Sequence, residues 1–447
     1  MRSEPVQGPP SAPERGPKGI SVGGAAFLGI GAMVGAGIFA LLGEAGAVAG
    51  SAVWISFLLG GIIALLLGYT VAKLGVRFPS SGGLVTYLMQ GFGNGHVTGV
   101  ASWLFYFAGL IVTAMVAVSF GTYAAELFIG SDASMAWVKL LASLVVVAMV
   151  AINIVGAGAV AKVQGAIVVI LLLVFAVFIA VTLADIDFDL LARSTYPSVM
   201  DIIASVALTF FAYLGFAVVS FTAGDMRDPG RQLPRAMYLS LVVTVAVYVL
   251  ISLGVFGTLT SDEVQKYGDT ALAYAAKPAL GDAGFTMMAL AALLATSSSV
   301  NANVYAAGGI TSKLALERQF PRFFGGRSRL GGDRGLIVSA VAVLVLANMF
   351  DLSAIASIGS AVALAIFMLV AIAALKVRSE TGSNPLLILL AIGATAVVLA
   401  LFTIDTLRNE PQTFAAMLVV GALAVALDLV WKWIRDRRPP EPAPAAG

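Results

Sequence analysis

The sequence predicts an all-α polytopic membrane protein of twelve transmembrane helices, and three observations lead there. Hydrophobic residues make up 60% of the 447, charged residues only 11%, and mean hydropathy is +0.98, which would not stay in solution as a globular domain. Apolar runs of about 20 residues, the length that crosses a bilayer core, recur along the whole chain. Lysine and arginine are confined almost entirely to alternate loops.

Taken in order, a polar, Pro-rich segment (Met1–Lys18) precedes the first run and lacks the apolar core of a cleavable signal. Residues 1–19 are expected to be a disordered cytoplasmic tail. Five candidate spans follow, near 20–43, 47–76, 97–129, 136–155 and 160–184. An acidic connection with Asp185, Asp187 and Asp189 leads to five more, near 200–224, 234–259, 284–312, 335–350 and 354–376. The third is long for a span and the ninth short. A last pair, 384–404 and 412–434, precedes a second polar tail, 435–447.

Charge tests this count independently. With both ends on one side, only Lys139, Arg193, Lys266, Lys277 and Arg408 of the 26 basic residues fall on the other. The basic loops include Arg227, Arg231 and Arg235, and then Lys313, Arg318, Arg322, Arg327, Arg329 and Arg334. A wrong number of spans would scramble this asymmetry, so both termini are expected in the cytoplasm. Topology accounts for the basic face, and nothing supports nucleic acid as a partner. There is no cysteine, and one histidine (His96), so thiolate and histidine metal centres are excluded. His96 is expected to be simply exposed where the third span begins.

Inside the first run lies GIGAMVGAGIFALLGEAG, with six glycines between Gly29 and Gly46. Three readings compete, and the first, a Gly-rich dinucleotide loop, is discarded because it needs a preceding strand and a soluble βαβ unit. Gly31 and Gly35, four apart, let another helix approach closely. Alternatively, Gly35, Ala36 and Gly37 interrupt the helix, since two glycines in three residues favour unwinding. Loosened backbone at membrane depth is tolerated only beside a cavity or within protein. There its free N–H groups attract a carboxylate and its free carbonyls an ammonium or a cation. A transporter of inverted repeats should show a matching interruption in its second half. TFFAYLGFAVVSFTAGD (Thr209–Asp225) carries Gly215 at that place.

Four stretches resemble the amino acid–polyamine–organocation (APC) superfamily, specifically an amino acid permease. GAMVGAGIF (Gly31–Phe39) resembles its broken first helix. FPSSGGLVTY (Phe78–Tyr87) is similar to its Pro-x-x-Gly-Gly-x-Tyr-x-Tyr segment, with Val85 in place of the first tyrosine. FFAYLGFAVVSFTAGDMRDPGRQLPRA (Phe210–Ala236) resembles the sixth helix and the loop after it. TSKLALERQFPRFF (Thr311–Phe324) is similar to the loop after helix eight, where the family usually has Asp-Gly before Leu-Pro. The resemblance implies a LeuT-like 5+5 inverted repeat (20–184 and 200–376) plus two peripheral helices (384–434). It also implies that the amides of Gly35, Ala36 and Gly37 bind a substrate carboxylate. The carbonyls of Met33, Phe211 and Leu214 would take its ammonium, with Phe211 as an aromatic lid.

Selectivity is expected from the sixth-helix interruption, where Ala217 stands at a position that some relatives give to an acid. No carboxylate lies mid-span: Glu44, Glu126, Asp201 and Asp225 are all near span ends. A cationic substrate would want a buried counter-ion, so neutral, small or apolar amino acids are favoured. Asn301 and Thr113 are further candidate contacts. Helix eight carries ATSSSVNANVY (Ala295–Tyr305), whose Ser298, Ser299 and Ala295, with the carbonyls of Gly31 and Val34, resemble a sodium cage. The competing reading is that these hydroxyls bond back to their own helix. Some proton-coupled permeases place a lysine mid-helix five, but Leu171 stands there, and Lys162 lies at that helix's start. Sodium is therefore favoured over proton coupling or exchange. Tyr87 is either an inner-gate residue or part of an interfacial aromatic belt.

The expected function is secondary active transport of an amino acid across the cell membrane. The nearest rival is a cation–chloride cotransporter of the same fold, with chloride at the first-helix amides. A channel or a non-transporting receptor is the rival from another class. Enzymatic activity is not expected, because no nucleophile–base pair or metal cluster stands out in the spans.

Overall fold

The computed structural model describes residues 20–80, 83–130, 132–155, 160–316, 319–326, 328 and 334–436. Both tails lie outside these, as do Ser81 and Gly82 of the FPSSGG motif and Arg318, Arg327 and Arg329 of the basic loop. The side chains of Ala36, Lys162, Lys313 and Arg322 lie outside them too.

The described chain is all-helical. Its first helices are α1 (Val22–Ala36), α2 (Ile38–Ala49), α3 (Val53–Arg77), α4 (Gly83–Phe92), α5 (His96–Phe128), α6 (Met135–Val155) and α7 (Val160–Ala184). Then come α8 (Val199–Phe211), α9 (Phe216–Phe221), α10 (Pro229–Phe256), α11 (Ser261–Tyr267), α12 (Ala271–Tyr274) and α13 (Lys277–Leu316). The last are α14 (Arg334–Met349), α15 (Leu352–Lys376), α16 (Arg378–Thr381), α17 (Pro385–Asn409) and α18 (Pro411–Asp436).

Helix starts follow local chemistry. Ser21 accepts the Gly24 amide, Ser198 and Asp201 close a capping box, and Asp228 caps α10 just before Pro229. The Arg231–Asp228 ion pair beside that cap spans 4.0 Å between exposed side chains and contributes little.

Among the described residues, ten stretches are long and apolar enough to cross a bilayer, and two shorter apolar helices, Val22–Gly35 and Arg334–Met349, accompany them. The expected twelve spans are regrouped for identifiable reasons. Gly37 cuts the first run into pieces of 15 and 12 residues. The second piece continues beyond residue 43 to Ala49, and only the turn Gly50–Ala52 separates it from α3. That turn needs Gly50, whose φ is +52°. Helix α14, with 16 residues, extends only about 24 Å at 1.5 Å per residue.

Helix α1 packs between α10 and α13, and α5 crosses the bundle against α6, α13 and α15. Helix α18 lies mostly exposed but is pinned to α5 by charge. His96 is exposed, as expected, and also paired: its Nδ1 lies 2.7 Å from Asp428 Oδ2, and Lys432 Nζ lies 2.8 Å from Asp428 Oδ1. Both Asp428 and Lys432 are buried. Gly99 makes the room, since a Cβ there would fall 1.8 Å from the carboxylate.

Candidate functional site

The first interruption is at Gly37, with φ −91° and ψ −76°. Its N–H still reaches the Met33 carbonyl at 2.7 Å, and its own carbonyl accepts the Leu41 amide at 3.0 Å. The second interruption spans residues 212–215, where the chain tightens into turns closed three residues on. Leu214 N–H donates to the Phe211 carbonyl at 3.2 Å, and Ala217 N–H to the Leu214 carbonyl at 3.1 Å. Gly215 itself has helical angles (φ −57°, ψ −17°). It is required for contact: a Cβ there would lie 2.4 Å from the Met33 nitrogen.

The two interruptions therefore touch, and Tyr248 of α10 stands where they do. Its Oη donates to the Ala212 carbonyl at 3.4 Å. A Cβ on Gly37 would fall 2.3 Å from that oxygen and 2.7 Å from the Ala212 carbonyl oxygen. Gly37 alone breaks the helix, whereas Gly35 and Ala36, expected to unwind with it, stay within α1; Gly35 instead packs against α13, where a Cβ would meet the Ala295 carbonyl oxygen at 3.0 Å.

Beside this junction opens a cavity of about 150 Å³, lined from α1 by Ala32 and from the second interruption by Phe211, Ala212, Leu214, Gly215, Ala217 and Val218. Helix α5 adds Phe105, Tyr106, Gly109, Val112 and Met115; α13 adds Asn303, Ala306 and Ile310; α15 adds Ala363, Ile366 and Phe367. Leu84 and Phe221 place it toward the end that carries the basic loops. Apart from Tyr106 and Asn303, the lining side chains carry no polar atom. Tyr106 Oη is held by Ser339 Oγ at 2.9 Å. Phe211 is buried, and its ring fits against Gly359, where a Cβ would fall 2.3 Å from the ring edge and 2.8 Å from Ile111.

The residues singled out in the sequence are distributed as follows. Phe211, Leu214 and Ala217 line the cavity; Met33, Gly35 and Gly37 are buried just behind it. Asn301 is turned away, its Oδ1 accepting from Asn153 of α6 at 2.8 Å. Two positions on, Asn303 is the asparagine of the lining, with Nδ2 3.4 Å from Ser299 Oγ. Thr113 bonds back to the Gly109 carbonyl of its own helix at 2.6 Å.

Of the expected cation ligands, Ala295 and Ser299 face α1. A Cβ on Gly35 would meet the Ala295 carbonyl oxygen and Ser299 Cβ, each at 3.0 Å. Gly31 and Val34 are buried on α1, and Ser298 is half-buried. Tyr87 belongs to no interfacial belt: it is fully buried, burial pushes its phenol up to about 12, and a Cβ on Gly75 of α3 would fall 2.8 Å from its oxygen.

Tyr248, Gly359 and Asn303 escaped the sequence reading. A lone Tyr in the apolar run VTVAVYVLISL was the one available signal for the first.

A family profile described as Amino acid permease matches residues 20–427. The chain is 30% identical over 389 residues to the inner membrane transport protein YbaT of Escherichia coli K12, covering 87% of this chain and 90% of that one. It is 29% identical over 270 residues to the serine/threonine exchanger SteT of Bacillus subtilis, 60% of each chain. Over 351 residues it is 25% identical to cationic amino acid transporter 3, mitochondrial, of Arabidopsis thaliana, covering 74% of this chain and 57% of that one.

Proposed function

Because the chain belongs to the amino acid permease family, membrane transporters and not enzymes, we propose that it carries neutral, small or apolar amino acids by alternating access. The carrying observation is the apolar cavity beside the junction of two helix interruptions. A zwitterion needs fixed charge partners only at its backbone end, and helix interruptions supply them. The carboxylate is taken by the amides around Gly37: that of Gly37 competes with the Met33 carbonyl for its proton, and those of Gly35 and Ala36, inside the last turn of α1, become free once that turn unwinds. The ammonium is taken by the free lone pairs of the Met33, Phe211 and Leu214 carbonyls. Its side chain meets Ala217, Met115, Val112 and Ile366, which offer no counter-ion to a cation. Asn303 is the adjustable polar contact, and Phe211 covers the site.

In this reading α1 and α2 form one broken span, α8 and α9 another, and α14 a short one. That gives twelve spans in a LeuT-like 5+5 repeat, with both ends cytoplasmic by the distribution of lysine and arginine. The cavity then opens inward, and Tyr87 with α4 closes on it from the cytoplasmic side.

Sodium is the coupling ion of this proposal. The Ala295 carbonyl and Ser299 hydroxyl against Gly35, with Ser298 and the carbonyls of Gly31 and Val34, form an all-oxygen donor set suited to a hard cation.

The test is uptake of labelled neutral amino acids into liposomes holding the purified protein, with and without an inward sodium gradient. Sodium-dependent accumulation that Ser299→Ala abolishes supports the whole scheme. Accumulation driven by a proton gradient overturns the sodium assignment alone. Counterflow without net accumulation makes the protein an exchanger, and no movement of amino acids overturns the substrate class.

A further inference from the structure

Away from the cavity, the opposite end of the bundle is closed by a seam between α2, the turn Gly268–Thr270 and the start of α15. Gly43 lies so close to that turn that a Cβ there would fall 2.5 Å from the Gly268 carbonyl oxygen. The contact brings Glu44 and Asp269 together, and their carboxyl groups hydrogen-bond to each other. The Asp351 carboxylate adds negative charge beside Glu44. Two ionised carboxylates have no donor between them, so this bond contains a proton.

A second observation points the same way. Tyr123 of α5 is fully buried, has no hydrogen-bond partner for its Oη, and lies within electrostatic reach of Asp269. Its hydroxyl is an unused donor beside this seam.

The other groups on the elements packed here do not neutralise the pair. Glu126 of α5 takes the Tyr274 hydroxyl of α12. Lys266 of α11 lies over the Tyr267 ring at 5.5 Å, with Asp262 and Glu263 in the first turn of that helix. Lys277 pairs with Asp282 at 3.1 Å, and Asp201 caps α8 with Ser198. Burial pushes the Asp269 carboxyl up to about 6; the Glu44 bond pulls it down and the Asp351 charge raises it. A coupled pair of this kind loses its protons in two steps.

We infer that Glu44 and Asp269 form a proton-binding latch on this end of the transporter, one shared proton holding the seam shut. When that proton passes to water at this end, two carboxylates face each other and the seam parts. The latch's role in transport rests on the alternating-access reading; its response to protons does not. Acid then holds this gate closed, independently of the ion that drives transport.

The chain has no cysteine, so a single introduced thiol reports alone. Ala271→Cys, at a buried position next to the turn, is labelled with a membrane-impermeant maleimide in proteoliposomes and normalised to the exposed Phe188→Cys. From about pH 6 to about pH 9, normalised labelling is expected to rise by up to about tenfold per pH unit, the limit for one linked proton.

Glu44→Gln keeps an amide donor for Asp269 and stays poorly labelled throughout; Glu44→Ala and, as a second release variant, Asp269→Ala stay labelled throughout. A pH response in Glu44→Gln equal to that of the parent, or none in the parent, overturns the latch. Counterflow of a labelled neutral amino acid in the same liposomes separates the two ideas. Counterflow with pH-indifferent labelling sinks only the latch, and pH-dependent labelling without counterflow sinks only the transport reading.

Discussion

Replacing Tyr248 by Phe removes one oxygen at the point where the two helix interruptions meet. The ring would keep its packing on Phe57 and Tyr213, at centroid distances of 5.6 and 5.1 Å. What is lost is the donor to the Ala212 carbonyl, a bond of 3.4 Å, long for its kind and worth about 0.5–1.5 kcal/mol net. If transport separates α10 from residues 212–215, that cost falls on the closed state alone and shifts the balance of states by about 2- to 12-fold. Counterflow kinetics with a labelled neutral amino acid, alongside circular dichroism to confirm retained helix, read this out. Wild-type KM and maximal rate in a folded Tyr248→Phe protein would refute the idea that Tyr248 clamps the junction.

Gly359→Ala should drive Phe211 off its seat, since the new Cβ would overlap the ring edge at 2.3 Å; we expect about a 5- to 150-fold loss of uptake, as for an overpacking cost of about 1–3 kcal/mol, with the folded yield retained. Asn303→Ala should raise KM severalfold, about 1 kcal/mol for one hydrogen bond, whereas Asn301→Ala should lower thermal stability by stranding Asn153. Ala217→Asp should abolish uptake of neutral substrates and, in competition assays, make lysine or arginine the better inhibitor, because a carboxylate buried in the cavity demands a cation. Asp269 favours its protonated form in the folded protein, so its stabilising contribution is full below its ordinary value near 3.8 and is lost as pH rises to about 6. Thermal melts across that window should slope downward with pH, and Asp269→Asn should flatten them.

The lengths of most spans were legible because burial in lipid demands uninterrupted apolar runs, and α7 begins and ends where the sequence placed it. The end of α2 was not legible. Glu44 looked like a terminus because a charge usually marks one, yet its carboxyl is paired across the seam and the helix runs on to Ala49. Helix α4 was hidden because ten residues flanked by glycines, with a polar upstream strand of motif, carry no span signal. The asparagines of α13 show a different obstacle. Residues two apart on a helix point about 200° away from each other, so choosing Asn301 over Asn303 required knowing which face met α6. Gly215 was recognised for an unwinding it does not perform, since sequence cannot distinguish a glycine needed for its angles from one needed for the backbone it touches.

The ion pair that fastens α18 has a consequence for how this last helix reaches the bilayer. Asp428 and Lys432 are one turn apart, so they can neutralise each other within the helix before any other part of the protein is in place. A nascent segment carrying two lone charges would be hard to release into lipid; one carrying an internal zwitterion is much easier. His96 and the space above Gly99 then offer that pair a socket. The final helix can thus partition sideways from the insertion machinery as a nearly neutral rod and find its register afterwards, by plugging a preformed dipole into α5.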